Sequence, residues 1–106
     1  MTARIVIISG ACGTGKSSVS RLLAETSAYE HAVHIHMDDF YQYIRKVYIA
    51  PWLDGSGEQN ETMIESAAAC AQRFSEGGYE VYVDGVIGPW YLGPWINIAE
   101  KGTAAA

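Results

Sequence analysis

The run Gly10-Ala11-Cys12-Gly13-Thr14-Gly15-Lys16-Ser17 satisfies every fixed position of the pattern G-x-x-x-x-G-K-[ST]. No other feature of the chain constrains the fold as strongly, because this pattern has physical meaning only between a strand and a helix. Arg4-Ile5-Val6-Ile7-Ile8-Ser9 is a short β-branched run closed by glycine, the pattern of a strand buried on both faces. Val19, Leu22 and Leu23 follow at helical spacing, which predicts a helix from Lys16 to Ser27 with an apolar face.

The loop's residue types fit the binding of phosphate. Glycines at 10, 13 and 15 admit turn conformations closed to residues with a Cβ, so that successive N–H groups converge as an anion nest. The first turn of the helix, through Ser18, adds unpaired N–H donors and the positive end of its dipole. Lys16 is suited to the β- and γ-phosphates of a nucleotide, and the Ser17 hydroxyl to Mg²⁺. ATP and Mg²⁺ are therefore the expected ligands of Gly10 to Ser18. Cys12 reads first as a small filler at a permissive position of this loop, with a redox-sensitive thiol at a helix N-terminus as its alternative.

Downstream, helix and strand patterns alternate, the signature of a parallel sheet covered by helices. Val33, Ile35 and Met37 alternate with His34 and His36 in a second strand over residues 32–37. Asp38 then suits an N-cap, opening a short helix through Phe40, Tyr41 and Ile44. Residues 50–57 form a turn-rich connection. A longer helix starts near Ser56 or Asn60, with Ser56 and Gln59 spaced for a capping box and Met63, Ala67, Ala71 and Phe74 along one face. Gly77-Gly78 stops it, and Glu80-Val81-Tyr82-Val83-Asp84 is a third strand. An aromatic loop with Trp90, Tyr91 and Trp95 follows, and residues 97–106 form a short helix or a frayed tail. The expected division is thus a nucleotide-binding domain over 1–96 and a tail over 97–106.

Phosphoryl transfer calls for a carboxylate that takes the acceptor's proton. Asp38 and Asp39 fall at the C-terminal end of the second strand, the sheet edge where ligands bind in open α/β folds. Asp38 is the candidate general base, with a plain helix cap as its alternative; Asp39 is a solvated first-turn carboxylate or a second acceptor contact. Asp84 closes an apolar strand, as a metal-side acid does, or else forms a simple Asp-Gly turn. Tyr41 and Arg45 are candidate acceptor contacts, and Tyr48 and Trp52 belong to an aromatic set suited to walling a pocket or to packing. His31, His34 and His36 do not suggest a metal centre, since no carboxylate or cysteine set completes a ligand cluster in the sequence.

Composition excludes several classes. With 49% hydrophobic and 18% charged residues, the chain is globular rather than disordered. A net charge of −5 argues against a broad nucleic-acid surface. Two cysteines, one in the loop and one in a helix, make no disulfide framework and fit a reducing, cytoplasmic setting. No apolar run approaches the roughly 20 residues that span a bilayer, and the N-terminal one is too short for a signal peptide.

Together, GACGTGKSS, HIHMDDFYQYI and YEVYVDG resemble small P-loop kinases of the nucleoside-kinase-like and chloramphenicol-phosphotransferase-like group, often described as AAA-family ATPases. The resemblance implies an α/β three-layer fold with a parallel sheet in the order 2-3-1-4-5. It also implies that Asp38, in Met37-Asp38-Asp39-Phe40-Tyr41, is the acceptor base, and that Asp84 is the strand-three acid. The chain departs from the group in having no arginine after Arg73 to serve a lid, and the expected sheet is truncated after three strands. Such truncation bares the edge of the first strand, a pairing hazard that a homo-oligomer would cover. Three readings follow: a kinase acting on a small-molecule hydroxyl, a nucleotide-binding switch or slow ATPase, or an inactive kinase fragment.

Overall fold

The computed structural model describes residues 2–9, 15–85 and 104–105. Its elements are β1 (Ile5–Ser9), α1 (Lys16–Glu25), β2 (Ala32–His36), α2 (Asp38–Gln42), α3 (Gly57–Glu76), β3 (Glu80–Gly85) and β4 (Ala104–Ala105). The strands form one parallel sheet in the order β2-β3-β1-β4. This is the order the resemblance implied. The two-residue β4, inside the stretch expected as a helix or frayed tail, pairs with Ile5 and Val6 of β1 and so adds a stub to the three expected strands.

Side chains alternate across a strand, so the register divides the sheet into two unlike faces. On one face Ile5, Val81, Val83, Ile35 and Met37 pack with Ile64, Ala67, Ala68 and Ala71 of α3 into the dry core. The buried stripe of α3 runs through Asn60, Ile64, Ala67, Ala68, Ala71 and Ser75. It shares Ala67 and Ala71 with the expected face, while Phe74 turns outward and packs edge-on against Tyr79. Small alanines here let the helix lie close to the sheet.

The opposite face carries Val6 and Ile8 of β1 but is polar along β3 and β2. Glu80, Tyr82 and Asp84 of β3 project from it, beneath α1, which lies over β3 and β2. Glu80 is almost fully buried, yet it accepts hydrogen bonds from Ser27 Oγ (2.5 Å), Tyr82 Oη (2.7 Å) and Arg4 Nε (2.9 Å). Burial pushes its carboxyl upward, but the bonds from Ser27 and Tyr82 and the Arg4 guanidinium outweigh that and hold it below the usual carboxylate range.

Here the structure corrects two expectations. The apolar residues of α1 do not face the core: Val19 is 50% exposed and Leu22 59%, whereas Ser20 is fully buried. A helix lying over a polar strand approaches it through small residues, and its bulky side chains are turned outward. The capping box also does not form. Ser56 is the N-cap of α3 but makes no side-chain cap bond; its hydroxyl lies within hydrogen-bond distance of Leu53 O (2.7 Å) and Pro51 O (2.9 Å) and shares its one proton between them instead. Gln59 is likewise diverted, bonding both the N–H and the C=O of Ile49. These side chains tie the 49–53 connection to α3 rather than closing the helix end.

Candidate functional site

Parallel strands bring their C-terminal ends to one edge, so Ser9, His36 and Gly85 open onto the same side of the sheet. The loop of Gly10 to Lys16 leaves from Ser9 there. Gly15, the N-cap of α1, has φ +80°, in the left-handed region that a glycine enters without strain, as its place in the loop requires. Gly10, Ala11, Cys12, Gly13 and Thr14 lie outside the described residues, as does the side chain of Lys16, whose backbone opens α1.

The chain leaves β2 through Met37, whose N–H bonds to Asp84 O (2.9 Å). A Cβ on Gly85 would stand 2.9 Å from Met37 Cβ, so β3 ends in glycine where the two chains press together. Met37 takes the N-cap position of α2, and Asp38 is the first residue of the helix. The plain-cap alternative for Asp38 therefore does not apply. Its carboxylate is half exposed, with Oδ2 3.8 Å from His36 Nε2.

Asp84 is fully buried. In the parallel register His36 lies opposite Asp84 and His34 opposite Tyr82, all on the polar face. His34 Nε2 meets Asp84 Oδ2 and His36 Nδ1 meets Oδ1 (2.5 Å), so each carboxylate oxygen has an imidazole of its own. Among the described residues no group of three His, Cys, Asp or Glu has metal-binding geometry. A carboxylate nevertheless stands beside the histidines, which the sequence did not indicate, and it is held by them.

Among the described residues, two clefts flank the start of α2, and the neighbouring aspartates open into different ones. Asp38 lines the larger, of about 720 Å³, with Tyr41, Gln42, Ile44, Tyr48, Pro51 and Trp52. Asp39 lines a smaller cleft of about 290 Å³ with Ser17, Ser18, Arg21, His34 and His36. The larger cleft is walled mostly by rings and aliphatic carbon, the smaller by hydroxyls, imidazoles and one guanidinium. Tyr41 is positioned by donation from its hydroxyl to Asn60 Oδ1 (2.9 Å) on α3. Val47, just before Tyr48, has φ +59°, a left-handed conformation that costs a β-branched residue energy. Arg45 is exposed and is not among the described residues lining either cleft.

Of the expected site residues, the fold thus gathers Ser17, Ser18, Asp38, Asp39, Tyr41 and Asp84 at one edge and leaves Arg45 aside. It adds His34, His36 and Arg21. Arg21 follows Ser17 by four residues and so lies on the same helix face, a spacing legible in the sequence. The role of the histidines was not, because it depends on register with a strand some 48 residues away.

The donors near Ser17 suit Mg²⁺, a hard cation that prefers oxygen and keeps several waters. The Ser17 hydroxyl and the carboxylate of Asp39 line one cleft. Asp84 has both oxygens engaged by imidazoles, is fully buried and is not among the described residues that line this cleft.

Known proteins share this arrangement of strands and helices. The structure of an APS kinase from Mycobacterium tuberculosis, a cysteine-to-alanine mutant, superposes with a TM-score of 0.72 at 17% identity, covering 97% of this chain and 71% of that one. At this identity the likeness establishes the fold alone. A search of curated protein sequences finds no match. The family model for Zeta toxin matches residues 2–89, most of the chain, and by that match the chain belongs to the Zeta toxin family.

Proposed function

We propose that this protein is an ATP-dependent phosphotransferase that moves the γ-phosphate to a hydroxyl of a small molecule. The observation that carries the reading is the division of labour between adjacent aspartates: Asp38 opens onto a ring-walled cleft, and Asp39 onto a polar cleft that begins at Ser17 and Ser18. An acceptor seated against Tyr41, Tyr48 and Trp52 would present its hydroxyl to Asp38. The acceptor oxygen attacks the γ-phosphorus, the bond from γ-phosphorus to the bridging oxygen breaks, ADP leaves, and the hydroxyl proton passes to the Asp38 carboxylate. Mg²⁺ would be held from Ser17, and when bound it would neutralise phosphate charge. Lys16 would serve the same phosphates, as its place in the loop implies.

Asp38→Ala is the decisive variant. It should abolish acceptor-dependent ADP release, a loss of at least about a hundredfold for a positioned base, while leaving ATP affinity near that of the wild type. Lys16→Ala should lose ATP binding itself in calorimetry. Equal loss of binding and transfer in Asp38→Ala would make Asp38 structural.

A nucleotide-dependent switch is the second reading, and one observation favours it: among the described residues only Arg21 brings a cation to either cleft. A switch would release ADP at the same slow rate whether or not nucleosides, sugars or other small alcohols are supplied.

A further inference from the structure

We infer that the acceptor is an uncharged alcohol carrying a flat ring, stacked against Tyr48 and Trp52, and that anionic acceptors are turned away. The inference deepens the phosphotransferase reading and rests on it in calling the ligand an acceptor. Trp52 is 81% exposed and Tyr48 50%, so neither ring is packed into the core. The backbone between them is nevertheless fixed. Gln59 of α3 bonds both the N–H (2.9 Å) and the C=O (2.6 Å) of Ile49, and the side chains of Ser56 (2.9 Å) and Asn60 (3.0 Å) reach Pro51 O. Tyr48 precedes the first anchored residue and Trp52 follows the second. Val47, before Tyr48, keeps φ +59° although its side chain is 80% exposed, so no packing of its own offsets that strain. Strain of this kind gathers at ligand clamps. The two rings border a cleft of about 720 Å³, within the range of small-molecule sites. A flat ring gains most there, since offset stacking adds to the area it buries.

Charge narrows the class further. Among the described lining residues the single ionised group is the carboxylate of Asp38. Of the chain's seven cations, Arg21 lines the other cleft, Arg4 pairs with Glu80 and Arg73 lies in the last turn of α3. Arg45 and Lys46 are not among the described residues that line the cleft, Lys101 lies outside the described residues, and Lys16 is assigned to ATP by its place in the loop. A phosphate or carboxylate on the acceptor would thus enter beside a like charge, with no cation among the described lining residues to pair it.

Three probes of matched size separate flatness from charge. Para-hydroxymethylbenzamide is flat and uncharged, para-hydroxymethylbenzoate is flat and anionic, and the cyclohexane counterpart of the amide is puckered and uncharged. Binding of each to the full chain is titrated by NMR at neutral pH, and ADP release is followed with each in the presence of Mg²⁺ and ATP. The amide should bind best, with the benzoate and the cyclohexane compound each weaker by about tenfold. Tyr48→Leu and Trp52→Leu keep apolar bulk but remove a ring, so both should narrow the gap between flat and puckered probes, while Trp52→Phe preserves it. Asp38→Asn should narrow the gap between amide and benzoate alone. Should a variant fail to fold in a melting test, the order of the three probes on the wild type decides the matter. A benzoate bound as tightly as the amide, flat and puckered probes bound alike, or a wild type that binds none of the three would overturn the inference. So would a flat-ring preference left intact by both leucine variants. ADP release stimulated by the benzoate and not by the amide would sink this inference and leave the phosphotransferase reading standing. The expected order of binding, with ADP release unmoved by any probe, would count against that reading and keep the selectivity of the cleft.

Discussion

The two faces of the sheet are made from alternate residues of the same strands, yet they do opposite work. Toward α3 the strands offer Ile5, Val81, Val83 and Ile35, and the helix answers with Ile64 and three alanines. Toward α1, β3 and β2 offer Glu80, which bonds Tyr82, Arg4 and Ser27, and Asp84, which bonds His34 and His36, beside Val6 and Ile8 of β1. The dry face obtains its stability from area removed from water, which is indifferent to small rotations. The polar face obtains order from directional bonds, which fix where a carboxylate points. A fold can thus place chemistry on one side of a strand because the other side supplies the free energy of folding.

The sharpest way to break that comparison is to cut into the dry face. Ile64 is buried, and Ile64→Ala should cost about 2–5 kcal/mol. The loss is measured by denaturant melts, and ATP affinity should return to that of the wild type wherever the variant is folded. A loss of nucleotide binding in the folded variant would show that the two faces are not independent.

Glu80 tests the polar face at the end remote from the site. Glu80→Ala leaves Ser27 and Tyr82 without their acceptor and should cost about 1–3 kcal/mol. The pH dependence has a defined sign. The carboxyl is held below its unfolded value, so its contribution is fully present above the unfolded pKa of about 4.3 and is lost as pH falls through the folded value. The wild type should therefore lose stability in acid over that range, and Glu80→Gln should lose less. Parallel acid curves for the two proteins would assign the acid sensitivity elsewhere.

The smallest effect is expected on the outer surface of α1. Leu22→Lys should change stability by no more than about 0.5 kcal/mol, since Leu22 already faces outward. A drop in melting stability well beyond that would mean that this apolar surface is covered in the whole protein.

Much of the architecture could be read from local pattern. β-Branched runs marked β1 and β3, glycine pairs and spacing bounded α3, and the glycine-lysine-serine run placed α1. Asp38 and Asp39 were legible as carboxylates at a strand end. Their assignment to two different clefts was not, because it depends on how the 49–53 connection is tied to α3 by Gln59, Asn60 and Ser56. The facing of α1 was illegible for a related reason. Apolar periodicity shows that a helix has a face, but only the strand beneath it decides which face is buried, and here that strand carries Glu80, Tyr82 and Asp84.

The sequence by itself determined the glycine-lysine-serine run between a strand and a helix, the alternation of strand and helix and the identity of the acids, because these depend on backbone conformation and periodicity within a few residues. Only the tertiary structure decided that His34 and His36 enclose Asp84, that β4 joins the edge of β1, and that α1 turns its leucines outward. Each of these depends on the register of chain segments far apart in sequence, and register is set by packing of the whole sheet rather than by any local preference.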